Sequence, residues 1–281
     1  MEMRGNLRKM RNLLTILATV SSIGAASAAD APRRVVSFNL CADQLVLALS
    51  DAGQIAGLSP YAADPVLSVM ADRAKNFPRL DWQAESVIPL KPDLVLVGPW
   101  DRPVTRRMLN SLGYRIAEID VVTDIDAARK QILEVAALLG HPERGVAMVQ
   151  VLDAERRRMA AEHVRSGTAL VLERGGFASG SQTIAAALMA EAGMHSPQGA
   201  PSIGSFLPLE KLLMLKPDYV VLKDPPREPT DQGALYLTHP ALRAAYPPEK
   251  RLALPARYSM CGGPALIEAM RYLEGELKRL R

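Results

Sequence analysis

Glu85-Ser-Val-Ile-Pro-Leu-Lys-Pro-Asp93 runs into Leu94-Val-Leu-Val97, and 125 residues later the pattern returns as Glu210-Lys-Leu-Leu-Met-Leu-Lys-Pro-Asp218 followed by Tyr219-Val-Val-Leu222. Each copy opens on a glutamate, reaches Leu-Lys-Pro-Asp at the same distance and delivers an apolar run without polar alternation. Such a run marks a strand covered on both faces, as in a parallel sheet. The lysine suits the negative end of a short helix, and the proline prevents continuation. Two copies imply two lobes built alike.

Working outward, strands and helices alternate. In the first lobe, strands are expected at 34–38, 54–58, 94–97 and 115–119, with helices at 42–52, 85–90 and 104–112. In the second, strands are expected at 169–172, 219–222 and 251–254, with helices at 182–192, 210–215 and 265–280. Gly53 and Gly193 close equivalent helices. Between the lobes, 125–164 is helical in composition, broken only at Gly140-His141-Pro142, and Pro142 suits the first turn of a new helix. The division predicted is an N-terminal α/β lobe at 33–141, a connecting helix at 142–165 and a C-terminal α/β lobe at 166–281. At 1.5 Å per residue the connecting helix is a strut of roughly 35 Å that resists hinge bending.

The first residues read as a signal peptide, 1–28. Arg4, Arg8, Lys9 and Arg11 form a basic region, 13–26 an apolar one, and Ala26-Ser27-Ala28 a small-residue cleavage site. Losing that leader removes four basic residues and Glu2, so 34 basic and 30 acidic residues become 30 and 29, a net charge of +1. The overall basicity is therefore partly the leader's and gives no case for nucleic-acid binding. The two cysteines, Cys41 and Cys261, fall in different lobes, 220 residues apart. An oxidising compartment permits a disulfide between them; two packed thiols are the alternative, and sequence spacing does not choose.

Catalytic patterns are scarce. Gly176-Phe-Ala-Ser-Gly-Ser181 is not a nucleophile elbow, and no phosphate-cradling or dinucleotide-binding glycine pattern occurs. The four histidines, His141, His163, His195 and His239, lack metal-ligand spacing. Neither a resident cofactor nor a metal site is expected. The aromatics are more informative. Tyr61, Trp100, Phe177 and Tyr258 each follow a predicted strand, and Trp82 and Phe206 precede the two repeated glutamates. Ligands of open parallel sheets bind beyond the carboxyl ends of strands, so these rings outline a cleft between the lobes, with Arg257 placed to meet an anionic group.

The leader, Ser37-Phe-Asn-Leu-Cys-Ala-Asp-Gln-Leu45, Ile55-Ala-Gly-Leu-Ser-Pro-Tyr61, the two Leu-Lys-Pro-Asp strands and the connecting helix resemble the class III, helical-backbone periplasmic substrate-binding proteins of ABC importers for cobalamin and ferric siderophores. The resemblance covers nearly the whole chain beyond the leader. It implies an α/β fold of two Rossmann-like lobes with mostly parallel sheets, joined by a long backbone helix, with the ligand cleft between them. It implies a periplasmic monomer that is no enzyme, whose ligand is a metal chelate, either a cobalamin-type corrinoid or a ferric siderophore. Its partner is then a dimeric permease of the inner membrane. The resemblance assigns Glu85 and Glu210 to permease docking and Tyr61, Trp82, Trp100, Phe177, Phe206, Arg257 and Tyr258 to the ligand. Near the last strand, Pro255-Ala-Arg-Tyr-Ser-Met-Cys-Gly-Gly-Pro264 departs from the acidic and aromatic pattern of the cobalamin binders. Heme in the same fold is the alternative ligand; a chelatase-like enzyme on a related two-lobed scaffold is the alternative activity.

Overall fold

In a computed structural model of the chain, residues 31–162, 167–223, 233 and 235–280 are described. The predicted leader, His163 and the last residues expected in the connecting helix lie outside them. The first lobe comprises β1 (Val35–Ser37), α1 (Leu40–Leu49), β2 (Ile55–Gly57), α2 (Ala71–Ala74), β3 (Leu94–Val97), α3 (Pro103–Ser111) and β4 (Ile116–Glu118). Its strands are all parallel, in the order β2-β1-β3-β4. Alternate residues of the central strands enter two apolar layers. Val35, Leu94 and Leu96 pack with Leu45, Leu47 and Leu49, while Val36, Val95 and Val97 pack with Phe38, Val87 and Leu109. Both faces are covered, which is why these strands read as unbroken apolar runs.

The chain continues through α4 (Ile125–Leu138), α5 (Pro142–Glu162), β5 (Gly167–Leu172), β6 (Phe177–Ala178), α6 (Ile184–Glu191), β7 (Met194–His195), β8 (Ser205–Phe206) and α7 (Leu209–Leu215). It ends with β9 (Tyr219–Leu222), α8 (Leu235–Thr238), α9 (Pro240–Ala245), β10 (Arg251–Ala253), α10 (Ala256–Ser259) and α11 (Pro264–Arg279). Strand β5 pairs in parallel with β7 and β9, and β9 with β10. The order β7-β5-β9-β10 repeats that of the first sheet. The second lobe adds an antiparallel extension, β5-β6-β8, at the carboxyl end of β5.

The repeated segment does the same job twice. Lys91 and Lys216 both adopt the left-handed conformation, with φ of 44° and 46°. Each backbone N–H closes the preceding turn, on the carbonyls of Ile88 and Leu212, both at 3.2 Å. Asp93 then accepts the amides of Arg33 and Arg34 at 2.7 and 3.0 Å. Asp218 accepts the amide and hydroxyl of Thr168 at 2.7 and 2.8 Å, and those donors hold its carboxyl below the usual range. Each aspartate thus ties the start of the strand that follows it, β3 or β9, to the start of the first strand of its lobe, β1 or β5. One difference separates the copies. The helix expected at 85–90 is two 3₁₀ turns, Ala84–Ser86 and Ile88–Leu90. Pro89 has no N–H to give the carbonyl of Glu85, and its ring clashes there; Met214 in the second copy permits an α-helix.

The lobes are joined by more than the single strut expected. Helices α4 and α5 form an antiparallel hairpin, and α11 returns to pack on both α5 and α1. A Cβ on Gly145 would come within 2.5 Å of the Ala136 Cβ, so glycine allows α4 and α5 to approach. Ion pairs Arg271–Glu155 and Arg158–Glu274, each 2.7 Å, stitch α5 to α11. One apolar core runs through this helical layer from Leu45 in the first lobe, past Leu152, to Leu188 in the second. Cys41, in the first turn of α1, is bonded to Cys261, between α10 and α11, with Cα atoms 5.2 Å apart.

Two stability measurements test this account. A left-handed backbone costs a side-chain-bearing residue about 1–2 kcal/mol, part of which glycine returns as unfolded-chain entropy. Lys216→Gly should therefore raise the unfolding free energy in urea by about 0.5–1 kcal/mol. Cys41→Ser with Cys261→Ser should lower it by about 2–5 kcal/mol, and reductant should destabilise the parent protein alone by a similar amount.

Candidate functional site

The carboxyl ends of the two sheets meet. Across the gap, the Arg257 Nη1 of the second lobe donates to the Pro65 carbonyl of the first at 3.4 Å, and the disulfide bridges the same region. Beneath them Leu40, Cys261 and Ala265 pack with Leu67 and Val69, an apolar floor made from both lobes.

On the first lobe, Trp82 is the centre of a ring cluster. Its ring centroid lies 5.1 Å from that of Tyr61 at an interplanar angle of 58°, and 6.5 Å from that of Phe38 at 28°. Arg102 stacks over the indole, 4.3 Å from its centroid, a favourable cation–π placement. Three loops carry these groups, one after each of β1, β2 and β3. Asn39 caps α1 by accepting the amides of Cys41 and Ala42 at 2.9 and 3.1 Å. Its Nδ2 donates to Asp101 at 2.8 Å, and Asp101 also accepts the Gly98 amide at 2.7 Å. Trp100 stands apart. It is 78% exposed and lines a cavity of about 550 Å³ with Val122, Val135 and Leu138, into which none of the other predicted rings projects.

On the second lobe, Phe177 and Phe206 face each other across β6 and β8, 5.6 Å apart and edge to face. A Cβ on Gly204 would lie 2.4 Å from the Phe177 ring, so glycine is needed for the turn to close on it. Phe206 is left 75% exposed. Behind this wall, Glu173 accepts the Ser179 hydroxyl at 2.7 Å and the Lys223 ammonium at 3.0 Å. Towards the floor, Arg257 donates to the Tyr258 hydroxyl at 3.0 Å and stacks on its ring at 4.8 Å. Tyr258 stacks on Tyr272, their centroids 4.8 Å apart, and burial pushes the Tyr272 hydroxyl up.

The structure thus groups Tyr61 with Trp82, Phe177 with Phe206, and Arg257 with Tyr258. Glu85 and Glu210 lie outside these groups. Both are exposed, in the first turn after Trp82 and after Phe206 respectively, and neither forms a salt bridge among the described residues. Sequence reading missed Arg102, the Asn39–Asp101 contact and Asp43. The last is a fully buried carboxyl that accepts the Ser59 hydroxyl and amide at 2.5 and 3.1 Å. The N-cap position of Asn39 was readable; the other contacts join loops remote in sequence.

Among the described residues no helix is long and apolar enough to cross a membrane. Among curated proteins none matches this chain. Solved structures do match. The periplasmic heme-binding protein RhuT from Roseiflexus sp. RS-1 is 22% identical with a TM-score of 0.70, over 88% of this chain and 98% of that one. The periplasmic vitamin B12 binding protein BtuF of Vibrio cholerae is 17% identical with a TM-score of 0.66, over 89% and 98%. An ABC-type Fe3+-hydroxamate transport system protein from Saccharomonospora viridis DSM 43017 is 19% identical with a TM-score of 0.67, over 88% and 93%. At these identities the likeness is one of fold. The sequence profile of the periplasmic binding protein family matches residues 35–235, and the chain belongs to that family.

Proposed function

We propose that this protein is an exported substrate-binding protein that captures a metal chelate, a corrinoid or a ferric siderophore, between its lobes and hands it to a dimeric ABC permease of the inner membrane. The observation that carries this reading is a pair of ring clusters, Tyr61–Trp82 and Phe177–Phe206, at the carboxyl ends of two sheets with the same strand order. Apolar rings with a few orienting polar groups suit a bulky ligand. The solved relatives named for heme, vitamin B12 and Fe3+-hydroxamate support a chelate as cargo. The basic, then apolar, leader supports export with cleavage near Ala28. The helical layer joining the lobes favours small lobe movements on binding.

Glu85 and Glu210 are the proposed docking residues. Each is an exposed carboxylate in the turn that opens the repeated segment. Two such groups on similarly built lobes can each take an arginine of a two-fold symmetric permease in a charge-assisted pair. Glu85→Ala with Glu210→Ala should abolish uptake while leaving ligand affinity within roughly twofold of the parent. A collapse of affinity would reassign both residues to the cleft.

The cargo is tested by quenching of tryptophan fluorescence with cyanocobalamin, a ferric hydroxamate, a ferric catecholate and haemin. One of these should bind saturably, and Trp82→Ala should weaken it about tenfold or more, the loss of at least 1.4 kcal/mol of ring contact. Conversion of a bound tetrapyrrole by the purified protein would instead support the enzyme reading. The Arg257–Tyr258 pair favours heme as the second reading, because a tyrosine oxygen can ligate heme iron and a guanidinium beside it can meet a carboxylate of the ligand. In that case haemin gives a Soret band that Tyr258→Phe or Tyr61→Phe removes.

A further inference from the structure

Asp43 lies in the first turn of α1 with no exposed surface. On one side its carboxyl holds both the amide and the hydroxyl of Ser59, and the Ser59 oxygen accepts the amide of Tyr61 at 3.2 Å. On the other side the backbone amide of Asp43 donates to the Asn39 carbonyl at 2.8 Å, which also accepts the Ser37 hydroxyl at 3.1 Å. A hydroxyl has one proton to give. Ser59 gives its proton to an ionised Asp43, whereas a protonated Asp43 can donate to the Ser59 oxygen instead. Asn39 in turn reaches Asp101 and so the loop bearing Arg102. The loops after β1, β2 and β3 therefore hang from one connected network with Asp43 at its centre.

We propose that Asp43 is a positioning residue of the binding cleft: through Ser59, its buried carboxyl group sets the stance of Tyr61 against Trp82 without touching the ligand. The inference rests on the cleft being the ligand site. Burial pushes the Asp43 carboxyl from its ordinary 3.8 up to about 7, against the pull of the Ser59 hydrogen bonds and with help from the charge on Asp101. With Cys41 in the disulfide, α1 and β1 carry no other ionisable side chain. The β2 loop contributes Tyr61 and Asp64, and the β3 loop contributes Asp101 and Arg102. Of the helices packed against α1, α4 carries Asp126, Arg129, Lys130 and Glu134, and α11 carries Glu268, Arg271, Glu274, Glu276, Lys278 and Arg279. Among these groups and those of the loops, Asp101 is the charge that adds to the shift of Asp43.

Below neutrality Asp43 keeps its proton and can donate it to the Ser59 oxygen, which also accepts the Tyr61 amide. Above, the carboxylate draws the Ser59 proton to itself. The folded protein holds this proton where the unfolded chain has lost it, so the fold loses stability as pH rises from 3.8 to about 7.

The test uses ligand-free protein, so that a mistaken cargo leaves it untouched. A Trp100→Phe background leaves Trp82 as the single tryptophan, and its emission is followed from about pH 5.5 to 8.5. One sigmoidal change near neutrality is expected. Asp43→Asn should abolish it, and Ser59→Ala, which removes a donor to the carboxylate, should move it to higher pH. A transition that persists in Asp43→Asn, or its absence from the parent, overturns the proposal. Should Asp43→Asn fail to fold, the Ser59→Ala displacement decides alone, and an unmoved midpoint refutes it.

Discussion

A carboxylate that accepts two donors from the start of a neighbouring strand pins a parallel pair at one end, and each lobe has one, Asp93 or Asp218. Parallel strands advance about 3.3 Å per residue, so a register fixed where they begin is also fixed where they end. The loops after β1, β2 and β3 are delivered to one place for this reason, and with them Phe38, Tyr61, Trp82 and Arg102. The left-handed lysine ahead of each aspartate supplies the sharp stop that lets a helical turn feed the strand directly. Structure at the amino ends of the strands thus governs chemistry at their carboxyl ends.

Much of the architecture was legible because it was written twice. The Leu-Lys-Pro-Asp segments disclosed the lobes, and the unbroken apolar runs disclosed sheets covered on both faces. What escaped was short or remote. Strand β7 has two residues and no pattern to detect, and β6 and β8 exist only because they pair with each other beside β5. The threefold helical layer could not be read from α5, since α11 joins it from the far end of the chain. At the site, the rings were visible as residue types following strands or preceding the repeated glutamates, and two pairs of them assemble, with Arg257 beside Tyr258 as a third grouping. Trp100 follows a strand equally well yet turns to a separate cavity, because position in sequence does not fix the direction of a side chain. Asp43 is in sequence terms one more carboxylate in the first turn of a helix; burial beneath the β2 loop distinguishes it.

The two walls of the cleft are unlike although the lobes are alike. The first presents an indole in contact with a phenol and a guanidinium. The second presents two phenyl rings on an antiparallel extension that the first lobe lacks. A ligand held between them, as proposed, would meet a cationic, polarisable face on one side and an apolar one on the other. Such asymmetry orients a bulky molecule with one polar and one greasy surface. The exposed glutamates lie in the turns just beyond each wall, so the proposed docking residues stand a single helical turn from the proposed cargo site.

The disulfide also orders events in time. Cys261 belongs to the last 21 residues of a 281-residue chain, and α11, which packs against α1, follows it. When synthesis or export has delivered only the first lobe, α1 has neither its covalent tether nor its apolar neighbour. Contacts this distant in sequence close late and slowly. The first lobe therefore waits as an incomplete body until the far end arrives, and the thiol of Cys41 is then consumed. A chain truncated before Cys261 would keep that thiol, which makes the bond a chemical record that synthesis has passed Cys261.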